Sequence, residues 1–125
     1  MAKGKSVIFI AVLAILSAAV LTHAEPAKLS QVVYITRSKA CGCSAEQVKV
    51  ADKVVSQVFT GPRQALLKRI DYDTDRQAAV PYIGEFRLIQ LPALLFLDPQ
   101  GHLLWSAIGS VEQRQVAQKL DQLGG

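Results

Sequence analysis

The chain is poor in the residues on which most site chemistry depends. Among its 125 residues there are two cysteines, two histidines and one tryptophan, and aromatics make up only 6%. A closed structural zinc site normally takes four protein ligands, and His102 is the one conspicuous candidate beyond the cysteines, where it reads as an ordinary turn-flanking residue. No glycine-rich loop ending in lysine is present to cradle a phosphate, and no serine-centred hydrolase motif occurs. Glu85 and Asp98 have no partner acid fixed by the sequence, so a glycosidase pair is missing. Lys and Arg number 14 against 10 Asp and Glu, a formal charge of +4. The basic residues are scattered, with no block interleaved with aromatics, which excludes a nucleic-acid partner. Tyr34, Tyr72, Phe96 and Trp105 accordingly read as core or rim residues rather than a stacking platform. Internal repeats and low-complexity tracts are also absent.

Acidic residues are missing from the first 24 positions. Lys3 and Lys5 precede Val7 to Leu21, an unbroken run of fifteen apolar or small residues, and Thr22-His23-Ala24 sets small residues before a cut ahead of Glu25. That is the three-part order of a secretory signal. A bilayer-spanning helix needs roughly 17 to 25 residues, so the run is short, although Thr22 and Ala24 extend it toward an uncleaved anchor. With residues 1–24 as signal peptide or N-terminal membrane anchor, residues 25–125 are expected to be exported, periplasmic or otherwise extracytoplasmic. The lysines would stay on the cytoplasmic side. Retention of the leader would attach the protein to the inner membrane through residues 7–24. No cysteine closes the apolar run, so no lipid attachment site is read. The 101 residues that follow fit one domain. Twelve basic residues face ten acids there, about +2.

The two cysteines, Cys41 and Cys43, stand one residue apart. A bridge closing so small a loop removes little unfolded-state entropy, so the pair points to redox chemistry or soft-metal binding rather than to a structural staple. They lie in a loop, Arg37 to Ser44, between a β-branched run at Gln31 to Thr36 and an amphipathic stretch at Ser44 to Phe59. The first reads as a strand covered on both faces. The second reads as a helix opened by a capping box of Ser44 with Gln47 and ended by Gly61-Pro62. Leu66 to Tyr72 reads as a second strand. Asp71, Asp73 and Asp75 recur by twos, as ligands of a hard cation do. No glycine and distal Glu complete a known loop, so they read as a polar turn before the next helix. Thr74 to Phe86 is expected to be helical but short or bent, because of Pro81 and Gly84. Leu91 to Leu97 is a buried strand interrupted by Pro92, Asp98 to Gly101 a turn, His102 to Ile108 the returning strand and Ser110 to Leu120 a closing helix. The order β-α-β-α-β-β-α requires an α/β fold with a mixed central sheet between helix layers.

This order, with a cysteine loop before the first long helix and Pro92 before the hairpin, resembles the thioredoxin fold, a three-layer sandwich. The likeness is most specific from Val80 through Leu91-Pro92-Ala93 to Gly101, and it covers residues 30 to 122. It implies that Pro92 is a cis proline facing the cysteine loop and that Leu91 presents its backbone to a bound thiol or extended peptide. Cys41 matches the exposed first cysteine of the family motif. The family, however, separates its cysteines by two residues. Either Cys43 has moved to become the resolving partner, or Ser44 occupies the second-cysteine position and Cys43 is an addition. Ala40 replaces the usual tryptophan, and Ile35 falls where better-known members bury an acid. No peroxide-attack motif is recognised.

A thiolate is the attacking species in disulfide exchange. The positive end of the following helix, with Arg37 and Lys39 nearby, favours that anion, and Gly42 permits a sharp backbone turn between the sulfurs. Cys41 is therefore expected to attack, Cys43 to resolve, and protein thiols or disulfides to be the partners, with a separate redox donor or acceptor protein. A one-residue spacer closes a smaller ring than the familiar one, which leans toward oxidation or isomerisation. No cofactor is called for. The second function class is handling of Cu(I) or another soft metal by the same two sulfurs, and the third is a redox-inactive binding module.

Overall fold

The unbroken apolar run Val32-Val33-Tyr34-Ile35 forms strand β1 (Gln31–Thr36), and all four side chains are buried, as expected of a strand covered on both faces. In the computed structural model, which describes residues 28–125, β1 pairs in parallel with β2 (Leu67–Asp71) and antiparallel with β3 (Ala93–Leu97). Strand β4 (Leu103–Ile108) completes an antiparallel hairpin with β3, giving the sheet order β2-β1-β3-β4. The leader of residues 1–24 and the cut before Glu25 lie outside the described residues.

The period of two along β1 and β3 distributes the core between two layers. Val32, Tyr34, Leu94 and Phe96 face α1 (Cys43–Val58) and α3 (Gln113–Leu123), packing with Ala51, Val55, Val116 and Leu120. Val33, Ile35, Leu95 and Leu97 face the other way, against Ala79 of α2 (Arg76–Glu85). The result is the mixed sheet between helix layers that the element order requires. Phe96 meets Trp105 edge-on at 5.0 Å between ring centroids, so these two aromatics belong to the core and its rim.

Register explains where the cysteine loop goes. Ile35 stands opposite Ala93 and Thr36 opposite Asp71. The chain leaving β1, the chain leaving β2 and the chain entering β3 therefore converge at one end of the sheet. The N-terminus of α1 opens at that end.

Several boundaries differ from the sequence expectation, each for a local reason. Helix α1 starts at Cys43, one residue before Ser44, with Gly42 as its N-cap and no side-chain cap. The Ser44–Gln47 capping box does not form, because Ser44 lies inside the helix rather than at its N-cap; the Gln47 amide oxygen accepts a hydrogen bond from Gln90 at 2.8 Å. Gly61 and Pro62 do more than end α1: they open a short 3-10 helix, Gly61–Leu66, in which proline's missing N–H costs nothing. Leu66 is thereby taken out of β2, and only Ile70 of that edge strand is fully buried. Pro81 lies inside α2 without dividing it; the helix simply starts late, at Arg76, after the Asp75 N-cap. Helix α3 starts at Gln113 rather than Ser110, since Ser110 and Val111 extend beyond Gly109 and Val111 buries its side chain there.

Candidate functional site

Gly42 sets the geometry of the cysteine pair. Its φ of 60° and ψ of −139° lie where only glycine sits without strain, and a Cβ there would touch nothing within 4 Å. Glycine is thus demanded by the backbone rather than by crowding. The turn leaves Cys41 and Cys43 both exposed and both as free thiols. Cys43 is the first residue of α1, so the pair stands at the positive end of the helix dipole, with Glu46 as the acid in the first turn.

The stretch before the cysteines is stitched to the turn after β2. Arg37 makes a two-pronged contact with Asp73, Nη2 to Oδ1 at 2.9 Å and Nε to Oδ2 at 3.3 Å. The Lys39 amide donates to Asp73 Oδ2 at 2.9 Å and the Ser38 amide to Asp71 Oδ1 at 3.0 Å. The guanidinium beside Asp73 holds that carboxyl below the usual range, and hydrogen bonding from Ser38 does the same for Asp71. Arg37 is in turn held protonated chiefly by its bond to Asp73, with smaller contributions from Tyr72 and Cys41. Arg37 also lies over the Tyr72 ring at 5.5 Å. The three aspartates therefore have duties within the turn: Asp71 and Asp73 anchor the cysteine loop, and Asp75 caps α2 by accepting from the Ala78 amide at 3.3 Å. Among the described residues no group of three or more His, Cys, Asp or Glu is placed to hold a metal ion. The His102 ring lies 3.2 Å from Asp98 across the hairpin turn, on the exposed side.

Beneath the loop lies a polar node. Asp52 Oδ1 accepts from the Tyr34 hydroxyl at 2.6 Å, the Thr36 hydroxyl at 3.0 Å and Arg69 Nη2 at 3.0 Å. It ties β1, which leads into the cysteine loop, to α1, which leaves it. Burial above all, and then the hydrogen bond to Asp52, pushes the Tyr34 hydroxyl well above the ordinary tyrosine range.

On the far side of the loop the Leu91–Pro92 peptide bond is cis. Leu91 and Ser44 line the same groove, of about 380 Å³, whose walls also include Arg37 and Tyr72. The segment before Pro92 supplies the remaining wall through Leu88, Ile89 and Gln90. Ile89 is 95% exposed. No main-chain hydrogen bond holds Ile89, Gln90 or Leu91 among the described residues, whereas Leu88 donates to Ile83 and Pro92 accepts from Gly109. The sequence-named residues Arg37, Lys39, Cys41, Gly42, Cys43, Leu91 and Pro92 thus gather at one end of the sheet. Sequence reasoning missed Asp71 and Asp73 as loop anchors, Asp52 as the node and Gln90 as part of the groove. The alternating aspartates were the one visible signal among these.

No family model matches the sequence, and none of the curated proteins compared matches it. Solved structures do. Thioredoxin-2, a component of the malaria parasite protein secretion machinery, matches with a TM-score of 0.51 at 18% identity, over 77% of this chain and 84% of that one. An uncharacterized thioredoxin-like protein from Clostridium perfringens matches with a TM-score of 0.50 at 13% identity, over 80% of this chain and 75% of that one. Together with the sheet order and the helix layers, these matches establish that the chain has the thioredoxin-like fold.

Proposed function

We propose that the protein exchanges thiols and disulfides with protein partners outside the cytoplasm, using Cys41 and Cys43. The observation that carries this reading is two exposed free thiols at the N-terminus of α1, beside a groove whose far wall, from Ile89 to Leu91, has main chain without a partner among the described residues. The pair stands at the positive pole of the α1 dipole, and an extended peptide finds amides and carbonyls along the groove with which to pair.

In the reducing direction the Cys41 thiolate attacks one sulfur of a partner disulfide. A Cys41–partner bond forms, the partner's own S–S bond breaks, and the released partner thiolate takes up a proton. Cys43, as thiolate, then attacks the Cys41 sulfur, which forms the Cys41–Cys43 bond and releases the second partner thiol. The partner gains two electrons and the cysteine pair loses them; a separate donor dithiol restores the pair. Run backward, the same steps oxidise a partner dithiol, and relative reduction potentials set the direction. Arg37 and Lys39 flank the attacking sulfur and Gly42 sets the turn. Leu91 pairs with the substrate main chain next to Pro92. Export follows from the leader of residues 1–24, as cleaved signal or as inner-membrane anchor.

The test is exchange with a disulfide-linked peptide followed by mass spectrometry. Cys41→Ser is expected to abolish turnover and Cys43→Ser to accumulate the mixed disulfide. Unchanged turnover in both variants would overturn the mechanism. Stoichiometric Cu(I) binding by the reduced pair, with transfer to an acceptor and no disulfide turnover, would favour soft-metal handling by the same two sulfurs.

A further inference from the structure

Gln90 is tied in two directions. Its Nε2 donates to Gln47 Oε1 at 2.8 Å, linking the segment before Pro92 to the N-terminal part of α1. On its other side its amide covers Gly109 at the end of β4. A Cβ at Gly109 would stand 2.8 Å from Gln90 Cδ, 2.8 Å from Nε2 and 2.9 Å from Oε1. Three nearly equal distances mean that the flat face of the amide lies over the glycine. Gly109 itself has a φ of 74°, and its N–H donates to the Pro92 carbonyl at 2.7 Å.

This arrangement is not a core contact, since Gln90 is exposed. It is the one side-chain hydrogen bond, among the described residues, that holds the segment between the Leu88 amide and the Pro92 carbonyl. It also forms a partition. Gln90 belongs to the groove that Ser44 and Leu91 line, while Gln47 and Gly109 line a separate hollow of about 180 Å³ with Val50 and Val111. Release of the clasp frees the Leu91 main chain to move relative to α1 and to Cys41 just before it.

We infer that Gln47 and Gln90 are positioning residues for substrate binding: their clasp over Gly109 fixes the Leu91 main chain against α1, so that an extended partner peptide docks on a preformed edge. This inference rests on the reading of Cys41 and Leu91 given above. A loop ordered in advance spares the entropy of ordering it on binding, so the effect falls on KM rather than on the chemical step.

The test uses the full chain and a disulfide-linked peptide, with alkylation of Cys41 by iodoacetamide as a probe too small to need the groove. Gln90→Ala and Gln47→Ala are each expected to raise KM about two- to tenfold, the range carried by one ordinary hydrogen bond, with kcat and alkylation rate as in the wild type. Gln47→Glu keeps an oxygen acceptor and is expected to stay near the wild-type KM. The double alanine variant should be no worse than either single one. Unchanged KM in the alanine variants, or equal losses in kcat and alkylation, overturns the clasp while leaving the exchange mechanism intact. Absence of any Cys41-dependent exchange in the wild type overturns the functional reading itself, and the role of the clasp with it.

Discussion

Tyr34→Phe isolates the node that joins the strand entering the cysteine loop to the helix leaving it. The ring is fully buried, and phenylalanine keeps its shape, so the substitution removes only the hydroxyl that donates to Asp52 Oδ1 at 2.6 Å. A hydrogen bond to a charged group contributes about 1.5 to 3 kcal/mol. Asp52 keeps Thr36 and Arg69 as donors, and its side chain is 37% exposed, so water replaces part of the loss. The low end applies, about 1.5 kcal/mol, or roughly 6 to 12 °C in Tm for a domain of this size. The alkaline range adds an independent signature. Because burial and the Asp52 bond raise the folded-state value, the unfolded chain releases the Tyr34 proton above about pH 10 while the folded protein keeps it. The stabilisation from Tyr34 is therefore fully present below that pH and lost as pH rises, by about 1.4 kcal/mol per pH unit. Phenylalanine has no such proton, so the wild-type advantage measured by urea unfolding should shrink above pH 10 and nearly close by about pH 11. Trp105 fluorescence follows the transition. A gap that stays constant through the alkaline range, or no destabilisation at neutral pH, would refute the reasoning.

Other expectations are more local. Gly42→Ala should cost about 1 to 3 kcal/mol of stability, read by thermal unfolding, because the backbone there is glycine-only although nothing obstructs a Cβ. Asp73→Asn should loosen Arg37 and Lys39 and speed hydrogen exchange of the Lys39 amide, with the sheet amides unchanged. In the wild type that anchoring is present above the ordinary carboxylate value of 3.8 and lost as pH falls through the depressed values of Asp71 and Asp73, which an NMR titration of the Ser38 and Lys39 amides follows. Leu94→Ala should destabilise by about 2 to 5 kcal/mol, since the side chain is fully buried between sheet and helices. Ile89→Ala, almost wholly exposed at the groove, should change stability by less than about 0.5 kcal/mol, and equal losses at both positions would contradict the assigned core.

The layers and the order of elements along the chain were legible because burial leaves a pattern. Val32 to Ile35 and Ala93 to Leu97 are apolar without interruption, and both strands are interior. Val48, Ala51, Val54, Val55 and Val58 mark the inward face of α1 at helical spacing. The same pattern put the cysteines where a central strand hands over to a helix, and the family resemblance put Pro92 opposite them. What escaped was set by hydrogen bonds between segments far apart in sequence. Gln47 has the spacing of a capping partner, yet a glutamine 43 positions along takes its oxygen. Asp71 and Asp73 alternate as cation ligands do, but their oxygens receive amides and a guanidinium from the cysteine loop. Asp52 reads as a solvated face of α1, and only the fold brings Tyr34, Thr36 and Arg69 to it. Helix ends at Cys43 and Gln113 were displaced by backbone geometry at Gly42 and by burial of Val111, neither of which has a periodic signature.

The most direct test of the exchange mechanism is equilibration of the protein in glutathione buffers of graded redox ratio, with mass spectrometry reporting the Cys41–Cys43 bond. Reversible closure, with loss of two hydrogens at one defined potential and none in Cys41→Ser, is the predicted result. A pair that stays open at every ratio would contradict Cys43 as the resolving thiol and with it the dithiol mechanism.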